Sequence, residues 1–255
     1  MIRLDVFLVQ HGLSESRTQA QALIAAGKVR VNGQVICKAA YRVPDGAQVS
    51  VEGARRFVSR GGEKLEAALE AFGVDVRGRV CADVGASTGG FTDCLLQHGA
   101  KRVYAIDVGH DLLHPRLRAD DRVVVMEGLN ARYLMSLPES VSLVTIDASF
   151  ISLRLLLPVV KGWLSEEGEV IALIKPQFEA GRRVAARGRG VVRDPQVHRQ
   201  VLAEILEFAQ GQGYALLEVI RSPVASENVE FLAHLQLDRA GMDVEEHLKR
   251  IDFNT

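Results

Sequence analysis

The chain has 255 residues, 47% of them hydrophobic and 25% charged, with a formal net charge of −1; this ordinary globular composition excludes a disordered or fibrous protein. Its apolar runs, such as 141–145 and 171–174, fall far short of the ~18 residues of a spanning helix. Residues 1–10 carry Arg3 and Asp5 and offer no cleavage site, so no secretory signal is expected and the cytoplasm is the predicted location. Cys37, Cys81 and Cys94 show no C-x-x-C spacing, which predicts reduced thiols rather than disulfides or a zinc site.

Charge divides the chain. Residues 1–60 hold nine Lys/Arg and four Asp/Glu, a balance of +5, and the remainder carries −6. A basic head on an acidic body suggests a polyanion-binding module joined to a second unit. Within the head, Leu4, Phe7 and Leu8 recur at helical spacing, and Gly12 is the expected stop. Ser14 is a candidate N-cap for a second helix through Ala26, with Ala20, Leu23 and Ile24 on its inner face and Gly27 ending it. Val29 and Val31 then alternate with Lys28 and Arg30, Asn32-Gly33 predicts a tight turn into residues 34–37, and Val49 and Val51 alternate again.

The run Arg3-Leu4-Asp5, Ser16-Arg17, 22–27 and Val29-x-Val31-Asn32-Gly33 resembles the S4 RNA-binding domain over residues 1–53. That resemblance implies a small α+β head whose second helix and following turn lie on structured RNA. It places Arg3, Arg17, Gln21, Lys28, Arg30 and Lys38 near phosphates. Such contacts give sequence-blind affinity that falls with salt. With no aromatic platform for stacking single-stranded bases in view, recognition of RNA shape is expected. Residues 54–58, Ala-Arg-Arg-Phe-Val, form the expected linker; they lack the Gly and Ser of a floppy tether, and Phe57 is a candidate to dock between the units.

From residue 59 to 255 strands and helices alternate. Strands are expected over 80–84, 102–107, 122–126, 142–147, 170–175, 215–221 and 229–237. Helices are expected over 63–72, 88–98, 112–119, 152–164 and 196–210. Near-continuous apolar early strands separated by helices imply a doubly wound α/β sheet with ligands at the strands' carboxyl ends.

The first of these strands runs into Asp83-Val84-Gly85-Ala86-Ser87-Thr88-Gly89-Gly90-Phe91. Glycines there let backbone approach a ligand. The spacing G-x-x-x-G-G differs from the G-x-G-x-x-G of dinucleotide binders. A carboxylate at Asp83 repels a pyrophosphate but suits an ammonium or sulfonium group. Asp107, ending the second strand, is placed to accept hydrogen bonds from two ribose hydroxyls. Together these favour S-adenosylmethionine over NAD.

Asp147 ends the fourth strand, Lys175 ends the fifth, Glu230 opens the last, and Lys64 lies in the helix before the first. A ribose 2′-hydroxyl needs alignment and removal of its proton before it attacks a sulfonium methyl. A neutral amine can take that proton. Carboxylates favour its charged form while burial and a second amine favour the neutral one, so two lysines and two acids titrate as a unit. Methyltransferases acting on exocyclic amines usually carry Asn/Asp-Pro-Pro-aromatic after the fourth strand; Asp147-Ala148-Ser149-Phe150 lacks those prolines.

These residues carry a second resemblance. The body is similar to FtsJ-type ribose 2′-O-methyltransferases, whose K-D-K-E tetrad falls on Lys64, Asp147, Lys175 and Glu230. Ser59-Arg60-Gly61-Gly62-x-Lys64-Leu65, 86–91, Ser149-Phe150-Ile151-Ser152-Leu153 and Lys175-Pro176-Gln177-Phe178-Glu179 resemble the TlyA branch, an S4 head fused to this body. The resemblance implies a Rossmann-like class I methyltransferase with a seven-stranded, mostly parallel sheet, using S-adenosyl-L-methionine to methylate cytidine 2′-hydroxyls of 16S and 23S rRNA. It implies Lys175 as the activating group, Asp147 and Glu230 holding it, and Lys64 orienting the ribose. Asp83, Gly85, Ala86, Ser87, Gly89, Gly90, Phe91, Asp107 and Asn130 would surround the cofactor. In that branch the interdomain tetrapeptide reads Arg-x-Trp-Val, and here Phe57 replaces the Trp.

Residues 175–193 carry +5, with Arg182, Arg183, Arg187 and Arg189 among glycines, and are read as an RNA clamp beside the active site. His110 and His114 lack a third ligand, so no metal is expected. Two other readings stay open: an RNA-binding ribosome-assembly factor with an inactive methyltransferase fold, and a membrane-lytic protein, since members of the branch have been called hemolysins.

Overall fold

The structure is a computed structural model and describes residues 2–11, 13–14, 16–53, 56–181, 190–224, 226–237, 241 and 243–253. The chain divides into two compact units, Met1–Val58 and Ser59–Thr255.

In the first unit β1 (Ile2–Arg3) leads into α1 (Leu4–Gln10), followed by α2 (Arg17–Ala25), β2 (Val29–Val31), β3 (Gln34–Val35), β4 (Arg42–Val43) and β5 (Val49–Val51). β1 pairs with β4, and β3-β2-β5 form an antiparallel sheet. Leu4, Leu8, Ala20, Ile24, Val29, Val31 and Val43 make the core under both helices. Asn32 (φ 48°) and Gly33 (φ 82°) are both left-handed, as the mirror-image hairpin turn between β2 and β3 requires. The N-cap of α2 is Ser16, not Ser14. Ser16 is extended and its Oγ accepts the Gln19 N–H at 3.2 Å, whereas the Ser14 hydroxyl donates to the Ser16 carbonyl at 2.9 Å. The expected stop at Gly12 lies outside the described residues.

The second unit runs α3 (Arg60–Phe72), β6 (Val80–Val84), α4 (Gly90–Gln97), β7 (Arg102–Asp107), α5 (Pro115–Arg118), β8 (Val123–Glu127), a 3₁₀ turn (Ala131–Tyr133), β9 (Val141–Ile146), α6 (Leu153–Lys161), β10 (Leu164–Ile174), α7 (Pro176–Glu179), α8 (Pro195–Gly211), β11 (Tyr214–Arg221), β12 (Phe231–Leu237) and α9 (Val244–Leu248). Its seven-stranded sheet has the order β11-β12-β10-β9-β6-β7-β8. β10, β9, β6, β7 and β8 pair in parallel, and β12 lies antiparallel to both β10 and β11. Buried Val84, Ile106, Val144, Ile146, Leu156, Leu157, Trp163 and Leu206 belong to the core over the sheet.

The helix expected over 152–164 stops at Lys161 and β10 begins at Leu164 rather than 170, and three other elements differ from expectation for local reasons. Residues 111–113 do not open a helix, because their N–H groups donate to the Glu127 carboxylate at 2.9, 3.0 and 3.1 Å; α5 therefore starts at Pro115. α4 starts at Gly90 because Gly89 turns left-handed (φ 96°) ahead of it. β12 starts at Phe231, so Glu230 precedes the strand, and its carbonyl accepts the Ser222 N–H at 2.8 Å.

Candidate active site

The chain order reverses between β6 and β9: β7 and β8 lie on one side of β6, while β9 and β10 lie on the other. In an open parallel sheet the helices diverge at such a point and leave a crevice at the carboxyl ends of the strands. A cavity of about 660 Å³ occupies it, lined by Gly85 after β6, Asp107 and Val108 at the end of β7, Asn130 and Ala131 after β8, and Asp147–Ser152 after β9. That volume suits a ligand of nucleoside size.

Asp107 is fixed from both sides. One oxygen accepts the Ser87 N–H at 2.8 Å and the other accepts the Gly109 N–H at 2.7 Å, leaving lone pairs toward the cavity for paired hydroxyls. Gly85 is left-handed (φ 83°), and a Cβ there would stand 2.8 Å from the Asp147 carbonyl oxygen, so only glycine lets these two segments touch. The Asn130 side chain accepts the Arg132 N–H at 3.1 Å, which ties the 3₁₀ turn beneath the cavity wall. Leu112, Leu129 and Ile106 add apolar lining. Sequence reasoning passed over Leu112, whose N–H donates to the Glu127 carboxylate, and Leu129, whose N–H donates to the Asp107 carbonyl at 3.0 Å.

Five expected cofactor residues do not line this cavity. Asp83 is fully buried in β6, where its carboxylate accepts the Thr92 hydroxyl at 2.7 Å and the Thr145 hydroxyl at 3.1 Å. Burial pushes its pKa up to about 7, against the lowering effect of the two hydroxyls. It acts as a strut joining the start of α4 to β9. Ala86 and Phe91 are buried. Gly89 lies under Leu113 and Leu117, and a Cβ on Gly90 would collide with Ser59 Oγ and crowd the Gly62 nitrogen, so these glycines serve the turn and the close packing of α4 on α3.

The lysines and acids meet beside the cavity. Lys175 Nζ lies 2.6 Å from Asp147 Oδ1, as expected, but Glu230, expected to hold Lys175 as well, pairs instead with Lys64, its Oε2 2.5 Å from Lys64 Nζ. The β10–β12 register ends on the pair Ile174 and Phe231, and Lys175 and Glu230 are the residues directly beyond that pair. A Cβ on Gly61, one turn before Lys64 in α3, would lie 3.7 Å from Asp147 Oδ2. All four groups thus occupy one edge of the sheet, Lys64 and Glu230 with side chains only 13% and 8% exposed. Lys175 also donates to Ser149 Oγ at 3.0 Å, a contact sequence reasoning did not assign. Glu179 was equally unassigned: its carboxylate accepts the Ser152 hydroxyl at 2.5 Å and the Leu153 N–H at 2.7 Å, pinning α7 to the start of α6. Burial raises the Glu179 pKa. Phe150 is 90% exposed in left-handed backbone (φ 64°), its ring 4.9 Å from that of Phe178.

In the head, Arg3, Arg17 and Gln21 converge on Asp5. Lys28, Arg30 and Lys38 are exposed, and Arg30 donates to the Gly33 carbonyl at 3.3 Å. Arg182, Arg183, Arg187 and Arg189 lie outside the described residues. Cys81 and Cys94 are buried and Cys37 is exposed. Among the described residues no helix is long and apolar enough to cross a membrane.

Known proteins share this organisation. A family described as FtsJ-like methyltransferase matches residues 57–236, and the S4 domain matches residues 2–49. The 16S/23S rRNA (cytidine-2'-O)-methyltransferase TlyA of Mycobacterium tuberculosis is 46% identical over 248 residues, covering 93% of this chain and 91% of that protein. Hemolysin A of Brachyspira hyodysenteriae is 42% identical over 91% of this chain and 99% of its own length. A solved structure described as a candidate hemolysin from Streptococcus thermophilus covers 97% of this chain and 94% of its own, with 42% identity and a TM-score of 0.72. With one matched segment ending at residue 49, the other beginning at residue 57 and relatives matched across both, the chain belongs to the FtsJ-like methyltransferase family, in the TlyA branch that carries an S4 domain ahead of it.

Proposed function

We propose that this protein is an S-adenosylmethionine-dependent rRNA (cytidine-2′-O)-methyltransferase that works on ribosomal subunits in the cytoplasm. The observation that carries the reading is the pairing of Lys175 with Asp147 and of Lys64 with Glu230 on one sheet edge, beside a cavity whose lip holds Asp107.

The residues present fit the cofactor. Asp107, with each oxygen already fixed by one backbone N–H, suits a ribose diol. Leu112, Leu129, Ile106 and Ala131 suit a purine face, and the chain crossing at Gly85 and Asp147 suits the methionine arm. When bound, S-adenosylmethionine supplies an electrophilic methyl group on a positively charged sulfur.

The chain's own side chains do the rest. Lys175 Nζ, held by Asp147 and Ser149, is the group that a 2′-hydroxyl entering beside the cavity would meet, and in its neutral amine form it takes up the hydroxyl proton. Asp147 balances the charge that then builds on the amine. Glu230 fixes Lys64, whose ammonium group orients the entering ribose. The buried setting strengthens each of these interactions relative to water.

The test is incubation of the protein with methyl-labelled S-adenosylmethionine and purified small subunits, large subunits and whole ribosomes, with 2′-O-methyl sites mapped in the recovered rRNA. Labelled 2′-O-methylcytidine is the expected product. Tight subunit binding with no methylated nucleoside from any of the three would replace the reading with that of an RNA-binding assembly factor.

A further inference from the structure

We propose that Asp5 is a positioning residue for RNA binding: a sealed carboxylate that gathers Arg3, Arg17 and Gln21 into one seat for a backbone phosphate. The proposal rests on the reading of the head as an RNA-binding unit. Asp5 stands in the first turn of α1 and is fully buried. Its Oδ1 accepts Arg3 Nε at 2.9 Å and the Val6 N–H at 3.0 Å. Its Oδ2 accepts three further donors: the second Arg3 nitrogen at 3.0 Å, Arg17 at 3.1 Å and Gln21 Nε2 at 2.9 Å. Side chains from β1 and from two successive turns of α2 therefore meet at a single oxygen.

The arrangement is polarised. The acid is inaccessible, while the Arg3 and Arg17 side chains are 42% and 59% exposed. Hydrogen bonds from Arg3 above all hold the Asp5 carboxyl well below the usual carboxylate range, so it stays charged. One arginine would neutralise a buried acid. Here two do so, helped by a carboxamide, which leaves one positive charge in excess and spare N–H groups turned to solvent. A guanidinium recognises phosphate through a planar pair of donors. A free arginine must give up rotamer freedom to do this; these two have already given it up on folding.

Charge and positioning predict opposite signs. Replacing Asp5 by Asn removes a negative charge from a face that meets a polyanion, so charge alone predicts tighter binding. An Asn side chain, however, turns a donor toward the guanidinium groups and releases them. Full-length Asp5→Asn is to be titrated with purified ribosomal subunits across a salt series, with thermal unfolding followed in parallel. The expected result is binding weakened about tenfold, equal to ~1.4 kcal/mol. Arg17→Lys is the second variant: it keeps the charge at an exposed position and loses the planar fork. It is expected to bind several-fold more weakly in the parent and to cause no further loss in the Asp5→Asn background. If Asp5→Asn does not fold, Arg17→Lys alone decides. Binding by a folded Asp5→Asn protein, or by Arg17→Lys, as tight as the parent's overturns the proposal. Failure of the parent itself to hold subunits or their RNA overturns the reading of the head instead.

Discussion

The molecule holds two clusters of paired charges that solve opposite problems. In the head the carboxylate of Asp5 is buried and the guanidinium groups of Arg3 and Arg17 face water. In the body Lys64, Lys175, Asp147 and Glu230 are all largely shielded, two amines against two acids. The head uses arginine, which stays charged under every ordinary condition and presents fixed forks. The body uses lysine, the cation able to give and take a proton. The lesson is that an ion pair's role follows from which partner meets solvent and whether its cation can titrate.

The sharpest break in this comparison is Lys175→Ala. Methyl transfer is expected to fall by on the order of 10³-fold, the size of a lost proton acceptor. Calorimetry should still register cofactor uptake, and the loss should be the same at low and high salt because the cluster is shielded. A variant that kept full activity would remove Lys175 from its role. Next in size is Gly85→Ala, which combines a left-handed backbone with a contact 2.8 Å from the Asp147 carbonyl oxygen. It should cost about 2–4 kcal/mol of stability in urea unfolding and weaken cofactor binding. Unchanged unfolding would mean that the two segments do not touch there.

Asp83 offers a test with a defined sign. Its folded pKa is raised to about 7, chiefly by burial. A raised acid contributes stability that is fully present below its unfolded pKa of about 4 and is lost as pH rises through the folded value. Asp83→Asn has no such dependence. The variant should be more stable than the parent near pH 8, by on the order of a few kcal/mol, and the gap should narrow as pH falls and close by about pH 4. A gap that widened toward acid would show that Asp83 is ionised and stabilising.

The smallest expected effect belongs to the head's open rim. Arg30 is exposed and bonded only weakly to the Gly33 carbonyl. Arg30→Ala should weaken subunit binding several-fold and lower the slope of log affinity against log salt by about one, with no effect on methyl transfer at saturating subunit. Comparing that salt-sensitive loss with the salt-insensitive one at Lys175 separates the two clusters in a single set of titrations.

Local chemistry is what could be read ahead of the structure. The Asn32-Gly33 turn, the alternation of strands with helices, and the acids and lysines at strand ends follow from backbone preference and periodicity, which act within a few residues. Pairwise partners could not be read this way. Lys64 and Glu230 are 166 positions apart, and only the β10–β12 register and the course of α3 bring them together. The glycine loop shows the same limit. Gly89, Gly90 and Asp83 look like a ligand cradle in one dimension, but the packing of α4 on α3 and the hydroxyls of Thr92 and Thr145 claim them first.

By itself, then, the sequence determined the two-part organisation, the doubly wound sheet and the roster of chemically able side chains, because composition and period are local properties. The tertiary structure decided which of them share a site, since burial and hydrogen-bond partners are set by chain segments distant in sequence. It turned Arg3, Arg17 and Gln21 from separate cations and an amide into one cluster around Asp5, and it buried Asp83 against the hydroxyls of Thr92 and Thr145.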